Sequence, residues 1–110
     1  MEHAENIDVY ALGGSVPIAS YFRHQFIKLG IRTNVYSDSF TMNMSQSHLK
    51  AGDVVVAISC SGKTKEVVDA TTSAKAVGAH TICITTNDES PLSKVSDTVL
   101  LTANERFITI

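Results

Sequence analysis

The run Val54-Val55-Val56-Ala57-Ile58 narrows the possible folds more than any other part of the sequence. Consecutive apolar residues, mostly β-branched, favour an extended strand. An uninterrupted run of them belongs to a strand covered on both faces, as at the centre of a parallel sheet. The polar stretch Ser59-Cys60-Ser61-Gly62-Lys63-Thr64 follows at once, and then Val67, Ala70, Ala74 and Val77 recur at helical steps before Gly78. Strand, polar loop and helix in that order form one half of a parallel crossover, and the rest of the chain can be read against this unit.

The same alternation recurs on either side. Ile7 to Leu12 is a short β-rich run that breaks at Gly13-Gly14, after which Ile18, Phe22, Phe26 and Leu29 step at helical spacing up to Gly30. Pro17 falls in the first turn of that helix, where its missing N–H has no helical partner to lose. Arg32 to Tyr36 reads as a second strand and Thr41 to Lys50 as a weaker helix closing at Gly52. Thr81 to Thr85 resumes β character, Pro91 to Val95 makes a short helical turn, and Thr98 to Thr102 is a last strand. The expected fold is α/β: a flavodoxin-like three-layer sandwich around a five-stranded parallel sheet of order 2-1-3-4-5.

At 110 residues this is a single domain, spanning 1–110. Only Ala103 to Ile110 follow the last strand, too few for a helix to cover that edge, so the sequence is expected to be a core trimmed from a longer protein. A net charge of -2 leaves no cationic excess to neutralise a nucleic-acid backbone. Apolar runs stop short of the 18 or so residues needed to cross a bilayer, and the polar start is unlike a signal peptide. Cys60 and Cys83 interrupt apolar segments rather than framing loops, which fits a reducing cytoplasm. His3, His24, His48 and His80 are scattered, with no ligand spacing among them or the cysteines, so no metal is expected.

Chemistry concentrates in two loops, Gly13-Gly14-Ser15 and Ser59 to Thr64, each joining a strand to the start of a helix. In the expected strand order both leave the sheet at the switch point between the first and third strands, where doubly wound folds bind ligands. Hydroxyls of Ser15, Ser59, Ser61 and Thr64, together with loop N–H groups at a helix N-terminus, suit a phosphate dianion. Gly62 is expected to let the backbone approach that anion with no Cβ in the way, and Lys63 reads either as a solvated loop lysine or as a phosphate contact. The ordinary reading of Ser or Thr before a helix is an N-cap, which needs only one side chain per helix. Four hydroxyls in two converging loops exceed that need. A nucleotide P-loop fails because Ala57 stands where the motif requires glycine, and no G-x-G-x-x-G fingerprint supports a dinucleotide, so no cofactor is expected.

Two patterns taken together, G-x-S-x-x-x-A (Gly13, Ser15, Ala19) and I-S-x-S-G-x-T-x-E (Ile58, Ser59, Ser61, Gly62, Thr64, Glu66), resemble the sugar isomerase, or SIS, domain. The stretch from His48 through Lys63 and Asp69, and the later S-P-L-S-K-V-S-D-T-V-L-L-T, are similar to the effector domain of RpiR-type transcriptional regulators. The resemblance implies a phosphosugar ligand held by Gly13, Gly14, Ser15, Ser59, Cys60, Ser61, Gly62, Lys63 and Thr64. It also implies a homodimer, and DNA bound only through a separate N-terminal helix-turn-helix domain that lies outside this chain. Asp38, Glu66 and Glu105 are candidate sugar contacts. Ala11 stands where the family's first loop often carries glycine, and Phe40 where many relatives carry histidine, so sugar specificity does not transfer.

Aldose-ketose isomerisation needs a base at the C1–C2 bond and an acid at the ring oxygen. Glu66 sits in the first turn of its helix, where a carboxylate ordinarily serves the positive helix end, and no histidine has a carboxylate near it in sequence. His48 and His80 are therefore read as surface or strand-start residues. No catalytic residue is expected, and a non-catalytic phosphosugar sensor is favoured over the alternative, a phosphosugar isomerase.

Overall fold

The computed structural model describes residues 6–102. Five parallel strands, β1 (Asn6–Ala11), β2 (Arg32–Tyr36), β3 (Val54–Ile58), β4 (His80–Thr85) and β5 (Thr98–Leu101), form one sheet in the order β2-β1-β3-β4-β5. They alternate with α1 (Val16–Lys28), α2 (Ser39–Ser45), α3 (Lys65–Ala76) and α4 (Pro91–Val95). The expected three-layer architecture and strand order are both observed.

Strand alternation sorts the core into two clusters. Ile7, Val9 and Ala11 of β1 join Val56, Ile58 and Ile84 beneath Ile18 and Ala19 of α1. On the opposite face Tyr10, Val55, Ala57 and Cys83 pack under Met42, Val67, Ala70, Ala74 and Leu92 from α2, α3 and α4. The β3 run is buried from Val55 to Ile58, as its composition required. Because α1 leaves β1 on one face and α3 leaves β3 on the other, neighbouring strands part at their carboxyl ends and open a crevice. Ala11 pairs with Ile58, so the two following loops begin at the same level of the sheet.

The second helix departs from expectation. It spans Ser39–Ser45 rather than Thr41 to Lys50. It starts earlier because Asp38 caps it, accepting the Thr41 N–H at 2.8 Å. It stops earlier because tertiary bonds claim the residues that would extend it. The Ser45 hydroxyl turns into the core to donate to Asp8 Oδ2 at 2.6 Å, Leu49 is buried, and the Lys50 N–H donates to Asp53 Oδ2 at 3.2 Å. The first strand is also shifted one residue earlier than Ile7 to Leu12.

Candidate functional site

The crevice between β1 and β3 is a cavity of about 330 Å³ lined by Gly14, Ser15, Ile18, Ser59, Cys60, Ser61 and Thr64. That volume suits a small ligand. Its polar side is built from hydroxyls that are already held in place. Ser59 Oγ accepts the Gly62 N–H at 3.0 Å and lies 3.1 Å from Thr64 Oγ1, while Ser61 Oγ accepts the Lys63 N–H at 3.1 Å. Ser59 is nearly fully buried and Ser61 is exposed, so the former anchors the loop and the latter presents its hydroxyl at the mouth.

Helix capping separates the site from the rest of the molecule. The N-caps of α2 and α4 are side chains: Asp38 accepts from Thr41 N–H, and Ser90 Oγ accepts from Ser93 N–H at 3.2 Å. At α1 and α3 the cap positions are Ser15 and Thr64, and neither side chain makes a cap hydrogen bond. Hydroxyl residues thus precede the two helices that open into the crevice without satisfying their first-turn N–H groups. The capping expected of Ser15 on ordinary grounds is not made.

The remaining sequence candidates are placed as follows. Gly13 and Gly62 belong to the two loops, but neither lines the cavity, and Lys63 is exposed beside it. Gly62 faces backward. A Cβ there would meet Ser90 Oγ at 2.1 Å, and its φ is +71°, so glycine is required by the packing behind the loop rather than by an approaching anion. Asp38 caps α2 and does not line the crevice. Glu66 occupies the first turn of α3, exposed, also outside the lining. Glu105 lies outside the described residues.

A second cavity, about 460 Å³, opens at the amino ends of the strands and is lined by Asn6, Arg32, Asn34, His48, Lys50 and Asp53. Although larger, it lies at the end of the sheet where helices do not direct their N-termini. Beneath it is a buried carboxylate the sequence reading passed over. Asp8 is fully buried and accepts from Asn6 Nδ2 at 2.8 Å, Asn34 Nδ2 at 3.3 Å and Ser45 Oγ at 2.6 Å, and His48 Nε2 approaches it at 3.4 Å. The only visible signal was an acidic residue on the same strand face as Asn6 and Tyr10. His48 and His80 therefore do have carboxylate neighbours in space, Asp8 and, at 3.8 Å, Asp97, both far from the crevice. Among the described residues no cluster of His, Cys, Asp or Glu could hold a metal ion, and no helix is long and apolar enough to cross a membrane.

The SIS domain family model matches residues 1–108. The chain belongs to the SIS domain family. Its SIS fold is 40% identical over 97 residues to the HTH-type transcriptional regulator RpiR of Escherichia coli K12, a match covering 88% of this chain and 33% of the regulator. The chain thus spans about a third of that relative's length. Among solved structures, the sugar isomerase domain of the RpiR transcription factor from Sphaerobacter thermophilus superposes with a TM-score of 0.85 at 26% identity, covering 96% of this chain and 60% of that one. The Vibrio vulnificus NanR protein complexed with ManNAc-6P superposes with a TM-score of 0.88 at 31% identity, over 93% of this chain and 39% of that one. The resemblance to the SIS domain and to RpiR-type regulators is borne out.

Proposed function

We propose that this SIS domain is the phosphosugar-sensing part of an RpiR-type transcriptional regulator of carbohydrate metabolism, acting in the cytoplasm. Gly14, Ser15, Ser59, Ser61 and Thr64 cradle the phosphoryl group. The observation that carries the reading is the pair of helices, α1 and α3, that open into one cavity behind Ser15 and Thr64 with no side-chain cap. A phosphate dianion suits the uncapped first-turn N–H groups of α3 and the positive ends of both helices, whereas at α1 the Val16 N–H already donates to the Gly13 carbonyl and Pro17 carries none. NanR, a relative of the same fold, is complexed with a phosphosugar, which supports the ligand class. The cavity lining holds hydroxyls, a thiol and no carboxylate or imidazole among the described residues, which favours sensing over isomerase chemistry.

DNA is contacted by a separate helix-turn-helix domain of the parent protein. The SIS domain pairs as a homodimer, supported by the exposed Leu100 and Leu101 on the edge strand β5.

A thermal-shift titration with hexose and aminosugar phosphates, inorganic phosphate and the unphosphorylated sugars tests the ligand. A phosphosugar at about 100 times its Kd stabilises the fold by about 2.7 kcal/mol, a rise in Tm of roughly 10 °C, and the bare sugar does much less. Ser61→Asp puts a fixed carboxylate at the mouth and abolishes the shift while the domain stays folded. A folded Ser61→Asp protein that responds with undiminished affinity overturns the reading. Light scattering on the same preparations reports the mass, and a monomer overturns the pairing.

A further inference from the structure

Behind the serine loop, three donors converge on one atom. The carbonyl oxygen of Cys60 accepts the Thr86 N–H at 3.0 Å, the Thr85 hydroxyl at 3.0 Å and the Thr86 hydroxyl at 2.7 Å. A carbonyl oxygen has two lone pairs, and three donors at the end of β4 share them, so the carbonyl is fixed from more directions than an ordinary turn carbonyl. Two residues on, the Gly62 carbonyl is held as well, accepting the Leu92 N–H at 3.0 Å from the first turn of α4. The end of β4, the loop after it and the first turn of α4, including Ser90-Pro91-Leu92, therefore serve as a backing plate for Ser59 to Thr64.

The consequence lies on the other side of the peptide plane. A trans peptide is planar, with its N–H directed opposite to its C=O. The sheet places β3 between β1 and β4, and Thr85 and Thr86 stand at the carboxyl end of β4. With the Cys60 carbonyl drawn toward β4, the Ser61 N–H of the same peptide is directed away from β4, and β1, followed by Gly14 and Ser15, is the neighbour of β3 on that other side. The adjoining N–H groups are engaged inside the loop: that of Gly62 with Ser59 and that of Lys63 with Ser61 Oγ.

We propose that Thr85 and Thr86 are positioning residues for anion recognition, fixing the Cys60–Ser61 peptide so that the Ser61 N–H is presented to a phosphoryl group in the crevice. Neither threonine lines the cavity, so both act through the peptide they hold. The inference rests on the phosphosugar reading above and adds to it residues that touch no ligand.

The test is a titration of the ¹⁵N-labelled chain with inorganic phosphate, followed amide by amide. In the unmodified chain the Ser61 amide proton moves downfield as phosphate binds. Thr86→Val keeps the side-chain shape and the backbone bond but loses the hydroxyl. Its phosphate affinity falls about fivefold, the equivalent of one neutral hydrogen bond, and its Ser61 response shrinks. Thr86→Ser, which restores the hydroxyl, returns to within about twofold of the original, a rescue that a purely steric role would not give. Adding Thr85→Val to Thr86→Val deepens the loss. Because Thr85 is buried and its change can impair folding, the comparison of the exposed Thr86→Val with Thr86→Ser decides by itself. Wild-type affinity in a folded Thr86→Val protein, or a Ser61 amide that stays still while other crevice amides move, overturns this inference and leaves the phosphosugar reading standing. No amide response at all in the unmodified chain overturns both.

Discussion

Replacing Gly62 with alanine probes how rigidly the serine loop is seated. Two costs are visible. At φ +71° an alanine occupies the left-handed region, which disfavours an L side chain by about 1–2 kcal/mol. Its Cβ would also lie 2.1 Å from Ser90 Oγ and 2.4 Å from Ser90 Cβ, so Ser90 must move. Moving it breaks the cap that its hydroxyl makes to the Ser93 N–H, worth about 1 kcal/mol. The sum is about 2–3 kcal/mol, a fall in Tm of roughly 8–24 °C at about 4–8 °C per kcal/mol for a domain of this size. Urea denaturation followed by circular dichroism measures it. The mechanism is isolated by a double-mutant cycle with Ser90→Gly, which removes the overlapping atoms at little cost as a cap. The double variant keeps the backbone strain but loses the overlap, so it should be about 1–2 kcal/mol more stable than additivity allows. Strict additivity, or a Gly62→Ala cost well under 1 kcal/mol, refutes the argument that Ser90 packs against this glycine.

Two further outcomes follow from groups away from the crevice. Hydrogen bonds from the Thr81 N–H, opposed by some desolvation and aided by the Thr81 hydroxyl and Lys75, hold the Asp97 carboxyl below its ordinary value of 3.8. A carboxylate with a depressed folded-state pKa contributes stability that is fully present above 3.8 and is lost as pH falls toward the folded value, so Asp97→Asn should flatten the acid limb of a stability-versus-pH curve from about pH 5 downward. An acid limb identical to wild type removes Asp97 from that role. Ser45→Ala takes from the buried Asp8 its 2.6 Å hydroxyl donor and from the Tyr10 hydroxyl its 2.6 Å partner. A charged buried group left short of a donor predicts a loss of about 2–4 kcal/mol in urea denaturation, and a loss below about 1 kcal/mol would mean that water or His48 replaces the hydroxyl.

Much of the architecture was legible because it rests on local signals. The β-branched run at Val54 to Ile58 can be satisfied only by a strand covered on both faces, and the glycines at 30 and 78 mark helix ends, each with positive φ. The α2 boundary was illegible because the residues after Ser45 continue a helical pattern that only tertiary partners interrupt: Asp8 for Ser45 and the core for Leu49. The two serine loops could be found by composition and by the switch-point rule. Their division of labour could not, since Ser59 facing inward and Ser61 facing outward depends on bonds to Gly62, Thr64 and Lys63. The glycine at 62 was recognisable, but its reason lay in Ser90, on a loop distant in sequence. The Asp8 site was missed for the same cause, as two of its three side-chain donors, Asn34 and Ser45, come from β2 and α2.

Asp8 also bears on how the chain finds its pairing during folding. In the observed alignment Asp8 faces Asn34 across the β1–β2 ladder, and Asn6 and Ser45 complete its ring of donors, with His48 Nε2 3.4 Å away. Its immediate neighbours, Ile7 and Val9, point to the other face, among Ile18, Val56 and Ile84. Sliding β1 by a single residue would exchange the two sets, carrying a carboxylate into the aliphatic layer under α1 and two branched hydrocarbons into the amides. A flush strand of valines and isoleucines could tolerate several offsets with similar burial. One aspartate in its middle makes the wrong offsets cost several kcal/mol each, because an unpaired charge would be enclosed in hydrocarbon. The carboxylate thus acts as a key for strand alignment, and its contribution is to the uniqueness of the folded state more than to its depth.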